Sequence, residues 1–176
     1  FKTIGHENVS ILNGGFKGWA NGGNKVATGE NSITPASFKT KLNKKYFASF
    51  SEVQKAQKGK GQQCLIDARP AAFFTGDKKH AKARIPGRLA NARNLQEGNL
   101  IDDSFKMKPS SAIKSQFGGL DGVEQYKGYI SYCNTGHWAA TVWFGLSEIA
   151  QIPNVKMYDG GMTHWTSNPK RKVDLG

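Results

Sequence analysis

The sequence predicts an α/β fold in which an open parallel sheet carries helices on both faces. Three observations lead there. Short apolar runs, QCLIDAR (63–69), KGYISYC (127–133) and VKMYDGG (155–161), each end in charge, cysteine or glycine, as buried strands of such sheets do. Segments with helical spacing separate them. That alternation forces parallel pairing, because the chain must cross back over the sheet each time.

Taken in order, VSILNGGFKGW (9–19) reads as a short strand, a Gly-Gly turn and a Trp-bearing turn of helix. ANGGNKVATGENSITP (20–35) is rich in Gly, Asn and Ser and reads as a linker. SFSEVQKAQKGKG (49–61) is a short helix ending in glycines, with Ser51 as its N-cap. PAAFFTG (70–76) forms another short helix, and HAKARIPGRLANARN (80–94) a Pro-Gly turn with a brief strand around Leu89. SSAIKSQFGGL (110–120) is a helix with a glycine stop. WAATVWFGLSEIAQI (138–152) places Ala139, Val142, Trp143, Leu146 and Ala150 on one helical face.

Composition narrows the class. The chain has 176 residues and 38% hydrophobic content, enough for a packed core. No apolar stretch approaches the roughly 18 residues a membrane span needs. The formal charge is +12, but no basic run interleaves with aromatics as in a nucleic-acid module, so the charge reads as a solvated surface and nucleic acid is disfavoured as a partner. Two cysteines, Cys64 and Cys133, make no disulfide framework and no CxxC pair. The four histidines lack ligand spacing, so neither a metal nor another cofactor is expected.

The chain repeats its own ending. VKMYDGGMTHW (155–165) matches 9–19 at an offset of 146 residues, in its Val, an apolar pair, Asn or Asp, Gly-Gly and Trp. Repeats of this length suggest tandem domains. If 155–165 closes one domain, 9–19 closes another. Residues 1–19 are then the tail of an N-terminal domain whose body is missing. Residues 20–35 are the linker, and 36–176 a complete domain. A complementary fragment or segment supplying the N-terminal body is therefore expected as a partner.

ISYCNTGHWAAT (130–141) is the stretch that points to chemistry. Cys133 falls at the carboxyl end of a parallel strand, the edge where such sheets bind ligands. A tight loop, Asn134-Thr135-Gly136, then leads through His137 and Trp138 into a helix. Several loop amides and the positive helix end are expected to face the sulfur and favour the thiolate. A thiolate so held is a nucleophile, and its cradle also suits a terminal persulfide. Cys64, inside an apolar run, reads as inert. A cysteine phosphatase is excluded by residue type: it needs Arg after five intervening residues to clamp phosphoryl oxygens, and Ala139 stands there.

With LIDARPAAFF, ARIPGRLANARN, YCNTGHW and VKMYDGGMTHW in view, the chain resembles the rhodanese family of sulfurtransferases, in particular its two-domain thiosulfate or 3-mercaptopyruvate type. The resemblance implies a rhodanese-like sheet. It also implies a catalytic Cys133 that takes a sulfane sulfur from a small anionic donor, thiosulfate or 3-mercaptopyruvate. The sulfur then passes to a thiol or cyanide. Asn134, Thr135, Gly136, His137 and Trp138 would bind substrate, and Asp67 with Arg69 would form a buried pair shaping the site. Residues 1–19 would belong to a catalytically inactive N-terminal domain. Phe73 stands where the family often has a substrate-binding Arg. A rhodanese-fold module that carries sulfur or binds a partner without turnover is the alternative.

Overall fold

The computed structural model describes residues 1–176. Four strands form one sheet: β1 (Gln63–Asp67), β2 (Arg93–Asn94), β3 (Gly128–Tyr132) and β4 (Val155–Tyr158). Their order is β2-β1-β3-β4 and all pair in parallel, with Leu65 opposite Ile130 and Ile130 opposite Lys156. Phe47 bridges to Met157 beyond β4 and extends that edge. Six α-helices accompany the sheet: α1 (Gly15–Asn21), α2 (Phe50–Gln57), α3 (Ala71–Thr75), α4 (Ser110–Gly118), α5 (His137–Phe144) and α6 (Gly161–Ser167). No helix is long and apolar enough to cross a membrane.

Strand alternation builds two cores. Cys64 and Ile66 of β1 point to one face, where Ile113 and Phe117 of α4, Ala139 and Val142 of α5 and Leu146 of the turn that follows α5 cover them. Leu65, Ile130 and Tyr132 point to the other face, against Val53 and Ala56 of α2 and Met162 and Trp165 of α6. This is the predicted helix–sheet–helix arrangement. Each fully buried Leu or Ile contributes about 1.5–3 kcal/mol against exposure, so both faces are needed to hold a sheet of such short strands.

Several expectations about element ends change. Ser49, not Ser51, caps α2: its hydroxyl accepts from Glu52 N at 3.2 Å, and the Glu52 carboxylate accepts from Ser49 N at 2.8 Å. The reciprocal pair satisfies two orphan amides, which a cap at Ser51 would leave open. The strand expected around Leu89 forms instead at Arg93–Asn94. Leu89 N donates to the Tyr132 hydroxyl at 3.2 Å, so its amide is spent on a side chain and not on a ladder. The helix from His137 stays regular only to Phe144 and closes in a π-helical turn, Gly145–Ile149. Residues 9–12 form no strand, because no strand lies alongside to pair with them.

Residues 1–19 lie against the rest through Lys2 Nζ to Glu148 at 2.5 Å, Asn43 N to the Thr3 carbonyl at 2.7 Å, and Met107 N to Asn13 Oδ1 at 2.9 Å. The span 24–43 contains no helix or strand, and α1 runs through Ala20 and Asn21, the first two residues of the expected linker.

Candidate active site

The site grows from the carboxyl ends of β1 and β3. Cys133 directly follows β3, and the chain must turn sharply there to enter α5. Gly136 makes the turn at φ +96°, a left-handed conformation that suits glycine. That turn brings the Gly136 N–H to the Cys133 Sγ at 3.1 Å. It is the one amide hydrogen-bonded to the sulfur, where several were expected. A left-handed residue just before the helix aims its own N–H back at position 133 and leaves its neighbours facing elsewhere. The sulfur is also more enclosed than expected: Cys133 is 1% exposed and belongs to the apolar cluster under α5. Trp138 packs on that cluster, and its ring meets Phe73 of α3 edge-on at 5.9 Å.

Beneath the loop lies a charge pair. Arg69 Nε donates to Asp67 Oδ1 at 2.9 Å and Nη2 donates to Oδ2 at 2.6 Å, a two-point fork with both side chains buried. Burial works against the guanidinium charge, but the hydrogen bonds and charge of Asp67 outweigh it, so the Arg69 pKa is raised. The remaining donors of Arg69 reach outward, Nη2 to the Gly87 carbonyl at 2.9 Å and Nη1 to Asn134 Oδ1 at 3.5 Å. One residue thus ties β1, the Pro-Gly turn and the cysteine loop together. Tyr132, fully buried beside this pair, has its hydroxyl pKa pushed well up, by burial first and by the Asp67 charge second.

Asn134 is 2% exposed. Arg69 can only donate, so it fixes the Asn134 amide with Oδ1 inward, and Nδ2 is left buried with no partner. Thr135 and His137 are exposed, with Thr135 Oγ1 and His137 Nδ1 3.3 Å apart. The fold therefore gathers Cys133, Asn134, Gly136, Asp67 and Arg69 into one buried network. Thr135 and His137 stand on the outside of the loop, and Trp138 is half-buried.

Sequence reasoning treated the closing Gly-Gly-Trp motif as a landmark and missed its service to this loop. Met162 N donates to the Cys133 carbonyl at 2.8 Å and Thr163 N to the Asn134 carbonyl at 3.2 Å, with the Thr163 hydroxyl adding a bond at 3.0 Å. The first turn of α6 thus holds the backbone of the cysteine loop. Gly161 permits the approach: at φ +53°, a Cβ there would lie 2.5 Å from the Cys133 carbonyl oxygen. Paired glycines before a helix were the available signal. Cys64 sits mid-strand, and burial pushes its thiol up to about 11. No group of His, Cys, Asp and Glu residues is arranged to hold a metal ion.

Comparison with known proteins supplies the family. The Rhodanese-like domain family profile matches residues 49–168. The chain is 30% identical over 178 residues to thiosulfate sulfurtransferase of Gallus gallus, covering 98% of this chain and 59% of that protein. It is also 30% identical over 174 residues to 3-mercaptopyruvate sulfurtransferase of Escherichia coli K12, covering 98% and 60% respectively. The chain thus spans about three fifths of the curated relatives it matches. Among solved structures, an anaerobic ergothioneine biosynthesis enzyme from Chlorobium limicola, in complex with trimethyl histidine, superposes with a TM-score of 0.86. That match covers 99% of this chain and 43% of the enzyme at 19% identity, a likeness of fold. From its parallel sheet, its cysteine loop and the profile match, the chain belongs to the family of rhodanese-like domains.

Proposed function

We propose that this chain carries a sulfurtransferase, moving a sulfane sulfur from thiosulfate or 3-mercaptopyruvate to a thiol or cyanide through a persulfide on Cys133. The observation that carries the reading is the sulfur at the carboxyl end of β3, with the Gly136 N–H on it at 3.1 Å. The Cys133 thiolate attacks the sulfane sulfur. The bond to the donor breaks with its electron pair, which leaves on sulfite or on the enolate of pyruvate. The acceptor nucleophile then attacks the outer sulfur of the persulfide, and Cys133 departs as thiolate. Both half-reactions pass through the same Cys133 persulfide, with the first product released before the acceptor reacts, so ping-pong kinetics follow. The Gly136 amide serves negative charge on sulfur in each state.

The flanking residues have distinct parts. The unpartnered Nδ2 of Asn134 is a donor for bound anionic substrate, and Thr135, His137 and Trp138 line the approach. Asp67 and Arg69 position the loop without touching substrate. Phe73 gives the approach an apolar wall.

The same proposal extends to domain organisation: 36–176 is the catalytic domain, 20–35 a linker and 1–19 the tail of a second rhodanese-like unit. Support comes from backbone and exposure. α1 and α6 have the same length, and Gly15 and Gly161 share φ values of +55° and +53°. Trp165 is 3% exposed while its counterpart Trp19 is 42% exposed, so 9–19 offers solvent the apolar face that 155–165 buries. A complementary fragment bearing a rhodanese-like body is the partner this face fits, and intact mass of the denatured preparation would reveal it.

The activity is tested by sulfur transfer to cyanide from thiosulfate and from 3-mercaptopyruvate in separate assays, with Cys133→Ser as control. A +32 mass adduct on Cys133 after donor treatment is expected. Transfer surviving Cys133→Ser would falsify the assignment.

A further inference from the structure

Two basic segments far apart in sequence meet on one side of the molecule. Residues 77–84 (DKKHAKAR) carry four Lys or Arg, and 170–172 (KRK) carry three. They are joined by backbone: Arg84 N donates to Thr166 Oγ1 at 3.0 Å, and Arg88 and Asp174 exchange two amide bonds at 2.9 Å each. Trp165 Nε1 donates to the Lys172 carbonyl at 2.9 Å, which fastens the second segment to α6. Lys82, Arg84, Lys170 and Lys172 are exposed, and none takes part in an ion pair.

This patch adjoins the cysteine loop by two routes. α6 starts on the Cys133 and Asn134 carbonyls and ends just before Lys170. Its seven residues span about 10 Å. From the other side, Gly87 accepts from Arg69 and Phe73 touches Trp138, so the 70–88 segment runs along the flank of the site.

We propose that this patch docks the acidic face of a protein that accepts sulfur from Cys133. The inference rests on the sulfurtransferase reading. The patch is broader than a small anion requires, and its charges lie on two stapled segments. A single-stranded nucleic acid would also use free aromatic faces for stacking. Here Arg171 covers Phe50 at 4.3 Å and Arg88 covers Phe74 at 4.5 Å, so the aromatic faces are taken. An acidic protein docked on the patch brings its thiolate to the persulfide. The thiolate attacks the outer sulfur, the S–S bond to Cys133 breaks, a persulfide forms on the partner, and Cys133 leaves as thiolate with no net oxidation.

The test uses the whole chain and two peptides with one cysteine each, one flanked by eight Glu or Asp, the other by eight Gln. Fluorescence anisotropy reads binding, and a +32 shift on the peptide reads transfer from thiosulfate-loaded protein. The acidic peptide is expected to bind at least tenfold more tightly at low salt and to show a correspondingly lower KM. The variant K82E/R84E/K170E/K172E is expected to lose that preference while retaining thiosulfate:cyanide turnover. Equal binding of the two peptides overturns the proposal, as does a preference that survives in the variant. Tighter binding of a single-stranded DNA 12-mer than of the acidic peptide also overturns it, in favour of a nucleic-acid surface. If neither peptide nor cyanide receives sulfur but the acidic preference holds, the docking surface stands and the transferase reading fails.

Discussion

A Cβ on Gly161 would sit 2.5 Å from the Cys133 carbonyl oxygen and 2.6 Å from that of Asn134. The atoms it would meet are backbone carbonyls, so no flexible side chain can yield. Gly161→Ala is therefore expected to combine left-handed strain with overpacking, for a loss of about 2–5 kcal/mol. Gly15→Ala shares the strain but has nothing within 4 Å, so about 1–2 kcal/mol or less follows. Urea unfolding of the two variants checks the contrast, and transfer activity should fall only in Gly161→Ala.

Breaking the Asp67–Arg69 fork from one side leaves a buried charge uncompensated. Arg69→Met and Asp67→Asn are each expected to destabilise by about 3–5 kcal/mol, and the double variant by much less than their sum. A thermodynamic cycle on the four proteins reads the coupling. An additive result would show that the pair does not act as a unit.

Trp138 packs on the apolar cluster that contains Cys133, 1% exposed, and its ring meets Phe73 at 5.9 Å. Trp138→Ala should speed alkylation of Cys133 by iodoacetamide at least tenfold. Cys64 is the internal control: it is buried, and with its thiol pushed to about 11 it should remain unmodified at pH 8. Peptide mapping after timed quenching distinguishes the two sulfurs.

Glu52 couples the α2 cap to pH. Burial opposes its charge, but hydrogen bonds from Lys156 and Ser49 prevail and hold its carboxyl down to about 2, against an ordinary 4.5. A depressed carboxylate contributes stability above its unfolded pKa and loses it as pH falls through the folded value. Glu52→Gln should therefore cost about 1 kcal/mol at pH 7 and progressively less between pH 4.5 and 2. Thermal melts across that range supply the measurement.

Much of this architecture was readable from residue order. The β1, β3 and β4 runs are short and largely apolar, which marks them as strands, although Asp67 and Ser131 are buried and Met157 is only half-buried. The helix from His137 and the turn that continues it were visible because Ala139, Val142, Leu146 and Ala150 recur at helical spacing; all four are buried, while Trp143 of the same expected face is only half-buried. β2 was misplaced because its two residues, Arg93 and Asn94, carry no apolar signal, while nearby Leu89 does. The cysteine loop was legible as chemistry but not as geometry. Which amide reaches the sulfur depends on the sign of φ at Gly136, a property glycine leaves open. The hold of α6 on that loop rests on bonds between positions 29 residues apart, which no local pattern encodes.

That distance has a consequence during synthesis. Met162 and Thr163, which hold the carbonyls of Cys133 and Asn134, are translated well after the cysteine itself. A ribosome stalled between them would display the thiol on a loop with no clamp. The clamp on the loop therefore forms only after α6 has been translated, and a chain terminated before it has the cysteine without the two amide bonds that hold its loop.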